Sequence, residues 1–327
     1  MTVLVTGAAG FIGSHTSRAL LDRGRSVLGI DNLNSYYDPA LKRARLTALE
    51  GVPGFRFRQL DIGDPEAVAA LFREHPEIEQ VLHLAAQAGV RYSLSHPFTY
   101  VDSNVTGHLA ILEAAQRLPA LTHLVYASSS SVYGANTKQP FSETDRVDSP
   151  VSVYAATKRA GELLSETYAR LFELPLTGLR FFTVYGPWGR PDMAYWGFTE
   201  KILGGQPIEL FNGGDMRRDF TYIDDVVAGV LAALERPPAA AEPGSVPHRL
   251  YNLGNSRPES LRRFLEVLEQ HCGRPATIIE KPMQPGEVKE TYADITAAER
   301  DLGFRPSTPI DEGLGRFVAW FKEWRGL

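Results

Sequence analysis

The sequence predicts an α/β protein: a doubly wound parallel sheet with a smaller α/β substrate domain toward the carboxyl end. Apolar runs alternate with amphipathic stretches, which is the rhythm of parallel strands covered by helices on both faces. The runs are TVLVT, SVLGI, RFRQL, QVLHL, HLVYASS and LTGLRFF. Beyond about residue 180 the pattern becomes irregular and richer in Pro and Gly. We expect a dinucleotide-binding domain over 1–180 and a substrate domain over 181–327, with part of about 217–256 returning to the first.

Composition narrows the classes of function. The 327 residues are 43% hydrophobic and 22% charged, which is typical of a folded soluble protein. The net charge of −5 gives no basic surface for nucleic acid or an anionic membrane. The single cysteine, Cys272, excludes an internal disulfide, and the eight histidines show no metal-ligand spacing. With no signal-peptide pattern and no long apolar run, we expect a cytoplasmic protein without a catalytic metal.

Three glycines follow the first strand, and a helix pattern begins among them. Gly7 suits a tight turn, Gly10 lets backbone amides approach a pyrophosphate, and Gly13 lets the helix pack closely on the strand. Phe11 and Ile12 stand at the start of that helix, where the amides and the helix dipole favour an anion. The segment therefore predicts a Rossmann-like dinucleotide site.

The second strand ends in Asp31, followed by Asn32. A carboxylate at this place accepts hydrogen bonds from the adenosine ribose hydroxyls and repels a 2′-phosphate. The sequence therefore predicts NAD, and not NADP, as the cofactor.

Tyr154 and Lys158 are four residues apart in a helix pattern that begins near Ser152, so that both side chains share one helix face. A tyrosine with an ordinary pKa near 10 is a poor base at neutral pH. A neighbouring ammonium and the positive start of a helix both favour the phenolate. Ser129, 25 residues earlier at a strand end, is a hydroxyl donor suited to orienting a substrate hydroxyl. We expect these three residues to be catalytic.

These motifs, in this order, resemble the extended branch of the short-chain dehydrogenase/reductase superfamily that acts on nucleotide sugars. The resemblance covers nearly the whole chain through TGAAGFIGSH, LDI, HLAAQAGVR, NVTG, YASSSSVYG, YAATK, LRFFTVYGP and RDFTYIDDV. It implies that Asp61 and Ile62 flank the adenine and that Leu84, Ala85 and Ala86 line the dinucleotide. It also implies a homodimer through helices near 103–118 and 152–172.

The residues beside Ser129 indicate which reaction the resemblance implies. Related dehydratases and decarboxylases carry acidic residues where this chain has Ser130 and Ser131. This chain therefore lacks the carboxylate that would remove a proton from the carbon next to a ketone. The stretches AGVRYS and GPWGRPDMA resemble those of UDP-glucuronate 4-epimerases. We therefore expect a UDP-sugar substrate whose C4 hydride passes to NAD and back through a transient 4-keto sugar, interconverting UDP-glucuronate and UDP-galacturonate.

The resemblance also gives candidate substrate contacts. Arg190 is a candidate anion contact, and Ser131 and Thr183 are candidate hydroxyl donors to the sugar carboxylate or ring. Arg91 lies in the AGVRYS stretch, and Arg218 matches an arginine directed at the UDP moiety. A second basic diphosphate contact of related epimerases is missing, and Gln284 or Lys289 stands near its place.

Two other functions stay open from the sequence. One is a 4-epimerase for UDP-glucose and UDP-galactose or for UDP-N-acetylhexosamines. The other is a non-enzymatic module that senses a dinucleotide, although such modules usually lack the Tyr–Lys pair that this chain keeps.

Overall fold

A computed structural model of the chain describes residues 1–239, 245–282 and 290–327. Its strands are β1 (Thr2–Thr6), β2 (Ser26–Asp31), β3 (Phe55–Gln59), β4 (Ile78–His83), β5 (His123–Ser129), β6 (Leu176–Phe181), β7 (Thr183–Tyr185), β8 (Ile208–Phe211), β9 (Arg217–Arg218), β10 (Phe220–Tyr222), β11 (His248–Leu253), β12 (Glu259–Ser260) and β13 (Ile278–Lys281). Its helices are α1 (Phe11–Asp22), α2 (Pro39–Glu50), α3 (Pro65–Glu74), α4 (Val90–Ser95), α5 (Pro97–Val101), α6 (Gly107–Ala115), α7 (Val153–Phe172), α8 (Ala194–Leu203), α9 (Ile223–Leu234), α10 (Leu261–Cys272), α11 (Thr296–Leu302) and α12 (Ile310–Arg325).

Within these residues the main sheet has seven parallel strands in the order β11-β6-β5-β4-β1-β2-β3. The six apolar runs of the sequence fall on β1 to β6, and the predicted doubly wound class is confirmed. Strand order reverses between β1 and β4, and ligands of open α/β sheets bind at the carboxyl ends of strands beside such a reversal. The segments that follow β1, β4 and β5 therefore meet at one edge.

Both faces of the sheet are buried, and alternate residues of its strands pack into different cores. Val3 and Val5 of β1 pack in one core with side chains of α1 and α9. Leu4, between them, packs in a second core with side chains of α3 and α6. This is the period of two that a strand imposes on its side chains. The site-bearing strand ends thus rest on a framework packed from both sides.

Short strand pairs lie outside the main sheet, and most of their strands come between β6 and β11 in the sequence. β10 pairs with β7 and β13 with β8, both parallel, and β12 pairs antiparallel with β9. The loop after β7 packs against α12 through tryptophan rings: the Trp188 centroid lies 5.1 Å from that of Trp320 and 5.4 Å from that of Trp324. Trp196 on α8 joins the same cluster, 5.5 Å from Trp320.

The helix expected near 103–118 has an irregular start. Residues Asp102–Thr106 form a π-helical turn before α6 begins at Gly107. Such π-helical turns are frequent at functional sites. Here the turned residue is Asn104, which is buried and points at the loop after β4.

Neither a membrane span nor a metal cluster is seen in the described part of the chain. No helix there combines the length and the apolar character needed to cross a bilayer. Side chains of the metal-ligating types do not gather there in groups of three or more.

Candidate active site

The three glycines form a tight cradle at the carboxyl end of β1. Gly7 has a positive φ of 72°, and its carbonyl accepts a hydrogen bond of 2.9 Å from the Gly10 amide. A Cβ on Gly13 would lie 2.0 Å from the Gly7 oxygen, so only hydrogen fits there. Within the described residues no side chain caps the start of α1, which leaves its first amides for a ligand. These features fit a bound pyrophosphate.

The predicted adenosine-end residues come together in one pocket beside this cradle. Its walls include Gly7, Asp31, Asn32, Ile62, Leu84, Ala85 and Ala86. The Asp31 carboxylate accepts hydrogen bonds from the Ala9 amide at 3.2 Å and the Leu33 amide at 2.8 Å. Burial raises the pKa of Asp31, and the Lys42 ammonium acts in the opposite direction. Asp61 is exposed at the rim, where it accepts a hydrogen bond of 3.0 Å from Asn32.

Lys42 lines the same pocket and was not predicted from the sequence. Its ammonium donates to the carbonyl of Asn34 at 2.9 Å and to the side-chain oxygen of Asn34 at 2.7 Å. A signal was present in the sequence: Lys42 shares the inward face of α2 with Arg45, Leu46 and Leu49. A charged residue on the apolar face of an amphipathic helix has a buried partner in most cases.

Arg45 joins the turn after β1 to the loop after β7. Its buried guanidinium donates to the carbonyl of Ala9 at 3.0 Å, in the turn after β1. It also donates to the carbonyls of Trp188 at 2.6 Å and Gly189 at 2.8 Å, in the loop after β7. One side chain therefore fixes the loop before Arg190 relative to the glycine turn.

The predicted catalytic residues lie at the other end of the cleft. Ser129 at the end of β5, and Tyr154 and Lys158 on α7, line a second pocket. Its other walls include the cofactor-site residues Phe11, Ile12, Gly13, Leu84 and Ala86, and also Arg190. Because Leu84 and Ala86 line both pockets, the two form one continuous cleft.

The start of α7 is built to hold Tyr154. The Ser152 hydroxyl accepts a hydrogen bond of 3.1 Å from the Ala155 amide and caps the helix, so that Tyr154 lies in its first turn. Asn104 joins this helix to the loop after β4: it exchanges hydrogen bonds of 2.8 and 2.9 Å with the backbone of Gln87 and donates to the Thr157 hydroxyl at 3.1 Å.

Electrostatics at Tyr154 differ from the expectation. Burial raises the pKa of the Tyr154 phenol, while the Ser129 hydrogen bond and the Arg190 charge act to lower it. The Lys158 ammonium donates to the Ala127 carbonyl at 2.8 Å, and burial lowers its pKa to about 8. We expected Lys158 and the helix start to lower the phenol pKa. In the chain alone that pKa is raised, because desolvation of the phenolate outweighs the Ser129 hydrogen bond and the Arg190 charge.

Arg190 reaches the catalytic pocket paired with a carboxylate. Its guanidinium makes a two-point contact with Asp192, at 3.0 Å through Nε and 2.5 Å through Nη2. The Tyr36 hydroxyl donates to the same carboxylate at 3.2 Å. Asp192 and Tyr36 were not predicted from the sequence, because only the folded chain brings the loop after β2 against the loop after β7.

The other predicted substrate residues do not line either pocket as far as the structure describes the chain. Ser130 and Ser131 form a turn after β5, where the Ser131 amide donates to the Ser129 hydroxyl at 3.2 Å. Thr183 is half-buried at the start of β7. The Arg91 guanidinium lies 5.7 Å from the centroid of the Phe211 ring, and Arg218 donates to the Arg217 carbonyl at 2.9 Å. Gln284 and Lys289 lie outside the described residues.

The first strand of the parallel sheet ends in a glycine turn, and a Ser–Tyr–Lys set lies across the cleft from that turn. This combination is typical of dinucleotide-dependent enzymes of the short-chain dehydrogenase/reductase type. The chain belongs to the NAD dependent epimerase/dehydratase family, whose sequence model matches residues 3–254. The family resemblance and the NAD cofactor predicted from the sequence are confirmed.

Three known proteins illustrate this membership. UDP-glucuronate 4-epimerase 1 of Arabidopsis thaliana is 47% identical over an alignment of 336 positions, which covers 100% of this chain and 78% of that protein. A UDP-glucuronic acid 4-epimerase from Bacillus cereus, solved with UDP-glucuronic acid and NAD, has a TM-score of 0.90 and 36% identity over 99% of this chain and 100% of that chain. A UDP-glucose 4-epimerase from Thermotoga maritima, solved with UDP-glucose, has a TM-score of 0.86 and 31% identity over 99% of this chain and 100% of that chain.

Proposed function

We propose that this chain is a UDP-glucuronate 4-epimerase that interconverts UDP-glucuronate and UDP-galacturonate through a 4-keto sugar. The observation that carries the proposal is the convergence of Ser129, Tyr154 and Lys158 with Arg190 on the cleft that also holds the glycine turn. The absence of acidic residues at Ser130 and Ser131 fits a reaction at C4 alone. The identity with UDP-glucuronate 4-epimerases over almost the whole chain supports the uronate as substrate.

In this mechanism Tyr154 removes the proton of the sugar 4-hydroxyl and later returns it. The chemistry that NAD supplies when bound is the reversible removal of a hydride from C4. Ser129 holds the reacting oxygen through its hydroxyl, and Lys158 contributes positive charge at the back of the pocket. A charged Arg190 in the same pocket favours the phenolate of Tyr154. The configuration at C4 inverts because the 4-keto sugar turns its opposite face toward the hydride before C4 receives it.

The carboxylate of the sugar needs contacts that do not promote loss of CO2, because a 4-keto uronate is a β-keto acid. Ser131 and Thr183 are proposed to hold that carboxylate through neutral hydroxyls, with Ser130 beside them. Arg91 and Arg190 are proposed anion contacts, and Arg218 is proposed to contact the UDP moiety. In this assignment residues up to about 180 bind NAD and most of the remainder binds the UDP-sugar.

The proposal is tested by incubating the purified protein with UDP-glucuronate and with UDP-glucose in separate reactions and resolving the products by chromatography. We expect UDP-galacturonate from the first reaction and little product from the second. Conversion of the neutral sugar alone would assign a UDP-glucose epimerase. Release of CO2 and formation of a UDP-pentose would indicate a decarboxylase. No conversion of any UDP-sugar would favour a dinucleotide sensor.

Asp31 is proposed to select NAD. Asp31→Asn removes the charge that repels a 2′-phosphate and weakens acceptance from the ribose hydroxyls. We expect about a tenfold weaker affinity for NAD, the size of a lost charged hydrogen bond, and a smaller preference over NADP. Titration calorimetry with both dinucleotides measures this, with Asp22→Asn, on the exposed end of α1, as the control. An unchanged ratio of the two affinities would remove Asp31 from the selection.

A homodimer is proposed through the helices near 103–118 and 152–172. α7 carries apolar side chains that this chain alone leaves exposed, including Leu163 at 49% and Leu171 at 67%. Large apolar side chains exposed on a helix are typical of an interface between subunits.

Leu163→Asp places a charge in that proposed interface, and we expect it to convert dimers into monomers without unfolding the protein. Burying an unpaired carboxylate between subunits is strongly unfavourable. Light scattering after size exclusion measures the mass. Ile279→Asp is the matched control, because Ile279 is exposed to 43% on β13, away from both helices. If the wild-type protein is already monomeric, the dimer proposal is wrong.

A further inference from the structure

A buried ion pair lies one helical turn beyond Lys158. Glu162 on α7 and Arg180 on β6 are each about 1% exposed, and the guanidinium contacts the carboxylate at 2.8 Å through Nε and 2.9 Å through Nη2. The Ser128 hydroxyl donates to Glu162 at 2.6 Å, and Arg159 donates to it at 3.1 Å. Four hydrogen bonds thus satisfy this carboxylate, which is the condition for burying it stably.

The position of the pair relates it to the catalytic residues. Tyr154, Lys158 and Glu162 follow one another at intervals of four, so all three lie along one face of α7. Ser128 directly precedes Ser129 on β5, and the Ala127 carbonyl that holds the Lys158 ammonium is one residue earlier. Glu162 therefore ties the helix that carries the base to the strand that carries the hydroxyl donor.

The same network extends away from the helix. Arg180 also donates to the Tyr133 hydroxyl at 3.1 Å, and Tyr133 donates to the side-chain oxygen of Asn252 at 2.6 Å. Asn252, on β11, donates in turn to the carbonyls of Phe141 and Asp294 at 2.9 and 3.0 Å. The end of the main sheet is thereby joined to the segment that begins at residue 290.

Charge gives Glu162 a second effect. Burial lowers the pKa of Lys158, and the Glu162 carboxylate opposes that shift. Two buried histidines also lie beside Lys158, His83 on β4 and His108 on α6. Burial lowers the pKa of both, of His108 to about 3, so they stay neutral and supply no compensating charge. Tyr126, on β5, stays neutral too because burial raises its pKa. Tyr154 and the charged Arg190 share the pocket with Lys158.

We propose that Glu162 is a positioning residue of the reaction: through Ser128 and Arg180 it fixes α7 on β5 and β6, and it places a carboxylate one turn from the Lys158 ammonium on the same helix face. The inference rests on the proposed function, because it assigns how the Tyr154–Lys158 pair is held ready for proton transfer.

The main test is the double variant Glu162→Leu with Arg180→Met, which replaces the buried pair by apolar side chains of similar size. Replacing a buried ion pair by apolar side chains is often neutral or stabilising, and the Ser128 hydroxyl, which loses its acceptor, offsets part of any gain. We expect thermal unfolding near the wild-type temperature, while kcat with UDP-glucuronate falls about tenfold and KM stays within about twofold, the pattern of a disturbed proton-transfer geometry. Of the two charges removed, the Glu162 carboxylate is the one that acts on Lys158, so the Lys158 pKa falls further although Arg180 is lost too. The alkaline limb of the kcat profile therefore moves to lower pH.

Two companion variants complete the test. Ser128→Ala breaks the link to β5 and keeps the charge, so kcat falls without a shift of the alkaline limb. Glu166→Leu removes an exposed carboxylate one turn further along α7 and leaves both unchanged. If the double variant folds with wild-type kcat and pH profile, or if it does not fold and Ser128→Ala has wild-type kcat, the inference is wrong. Wild-type turnover in the same series tests the proposed function separately, since without it no comparison with the variants arises.

Discussion

Tyr154→Phe is expected to lower kcat with UDP-glucuronate by about a thousandfold, the middle of the range for losing a general acid–base group. The phenol oxygen is the only atom removed, and it lies in the pocket with Ser129, Lys158 and Arg190. Because the ring stays, we expect an unchanged thermal unfolding temperature and an unchanged NAD content. Product formation is measured by chromatography over a series of substrate concentrations, so that kcat and KM are obtained separately.

The matched control is Tyr168→Phe, a tyrosine on the same helix whose hydroxyl donates to Glu113 on α6, away from the cleft. That variant should keep the wild-type kcat. Should Tyr154→Phe also turn over at the wild-type rate, another group removes the proton and the mechanism proposed here is wrong.

Gly13→Ala is expected to have the largest effect on cofactor binding. A methyl group at this position would lie 2.0 Å from the Gly7 carbonyl oxygen, which is backbone and cannot rotate away. The first turn of α1 must then move off β1, at a cost of about 1–3 kcal/mol for an overpacked site. Because the same turn presents the amides to the pyrophosphate, we expect protein purified without NAD and a lower unfolding temperature. Absorbance of the perchloric-acid supernatant measures the bound dinucleotide.

Gly197→Ala provides the comparison, since Gly197 is inside α8 and a Cβ there meets nothing within 4 Å. Alanine in an open helix position stabilises by up to about 1 kcal/mol relative to glycine. If Gly13→Ala and Gly197→Ala retained the same amount of NAD, the cofactor site would not depend on close packing at Gly13.

The parts of the fold that the sequence predicted are those that local patterns determine. β1 to β6 are short apolar runs between helix patterns, and the glycine turn depends on residues three apart in sequence. The same holds for Tyr154 and Lys158, which share a helix face by their spacing alone. Such features need no knowledge of distant partners.

The features that escaped prediction depend on contacts between distant segments. Arg45 is polar and lies in an ordinary amphipathic helix, yet it is buried because it finds carbonyls of Trp188 and Gly189, more than a hundred residues away. Asp192 belongs to the site because it meets Arg190 and Tyr36 in the folded chain. The raised pKa of Tyr154 also depends on distant segments, because its desolvation is set by the side chains that pack around the ring.

The clustering of tryptophan beside Arg190 has a practical consequence. The sequence contains four tryptophans, and all of them, Trp188, Trp196, Trp320 and Trp324, belong to the cluster between the loop after β7 and α12. Tryptophan emission of the intact enzyme therefore originates from a single cluster, and Trp188 of that cluster is two residues from Arg190. Rearrangement of that loop when a sugar nucleotide arrives would change the colour and intensity of this light without any attached dye.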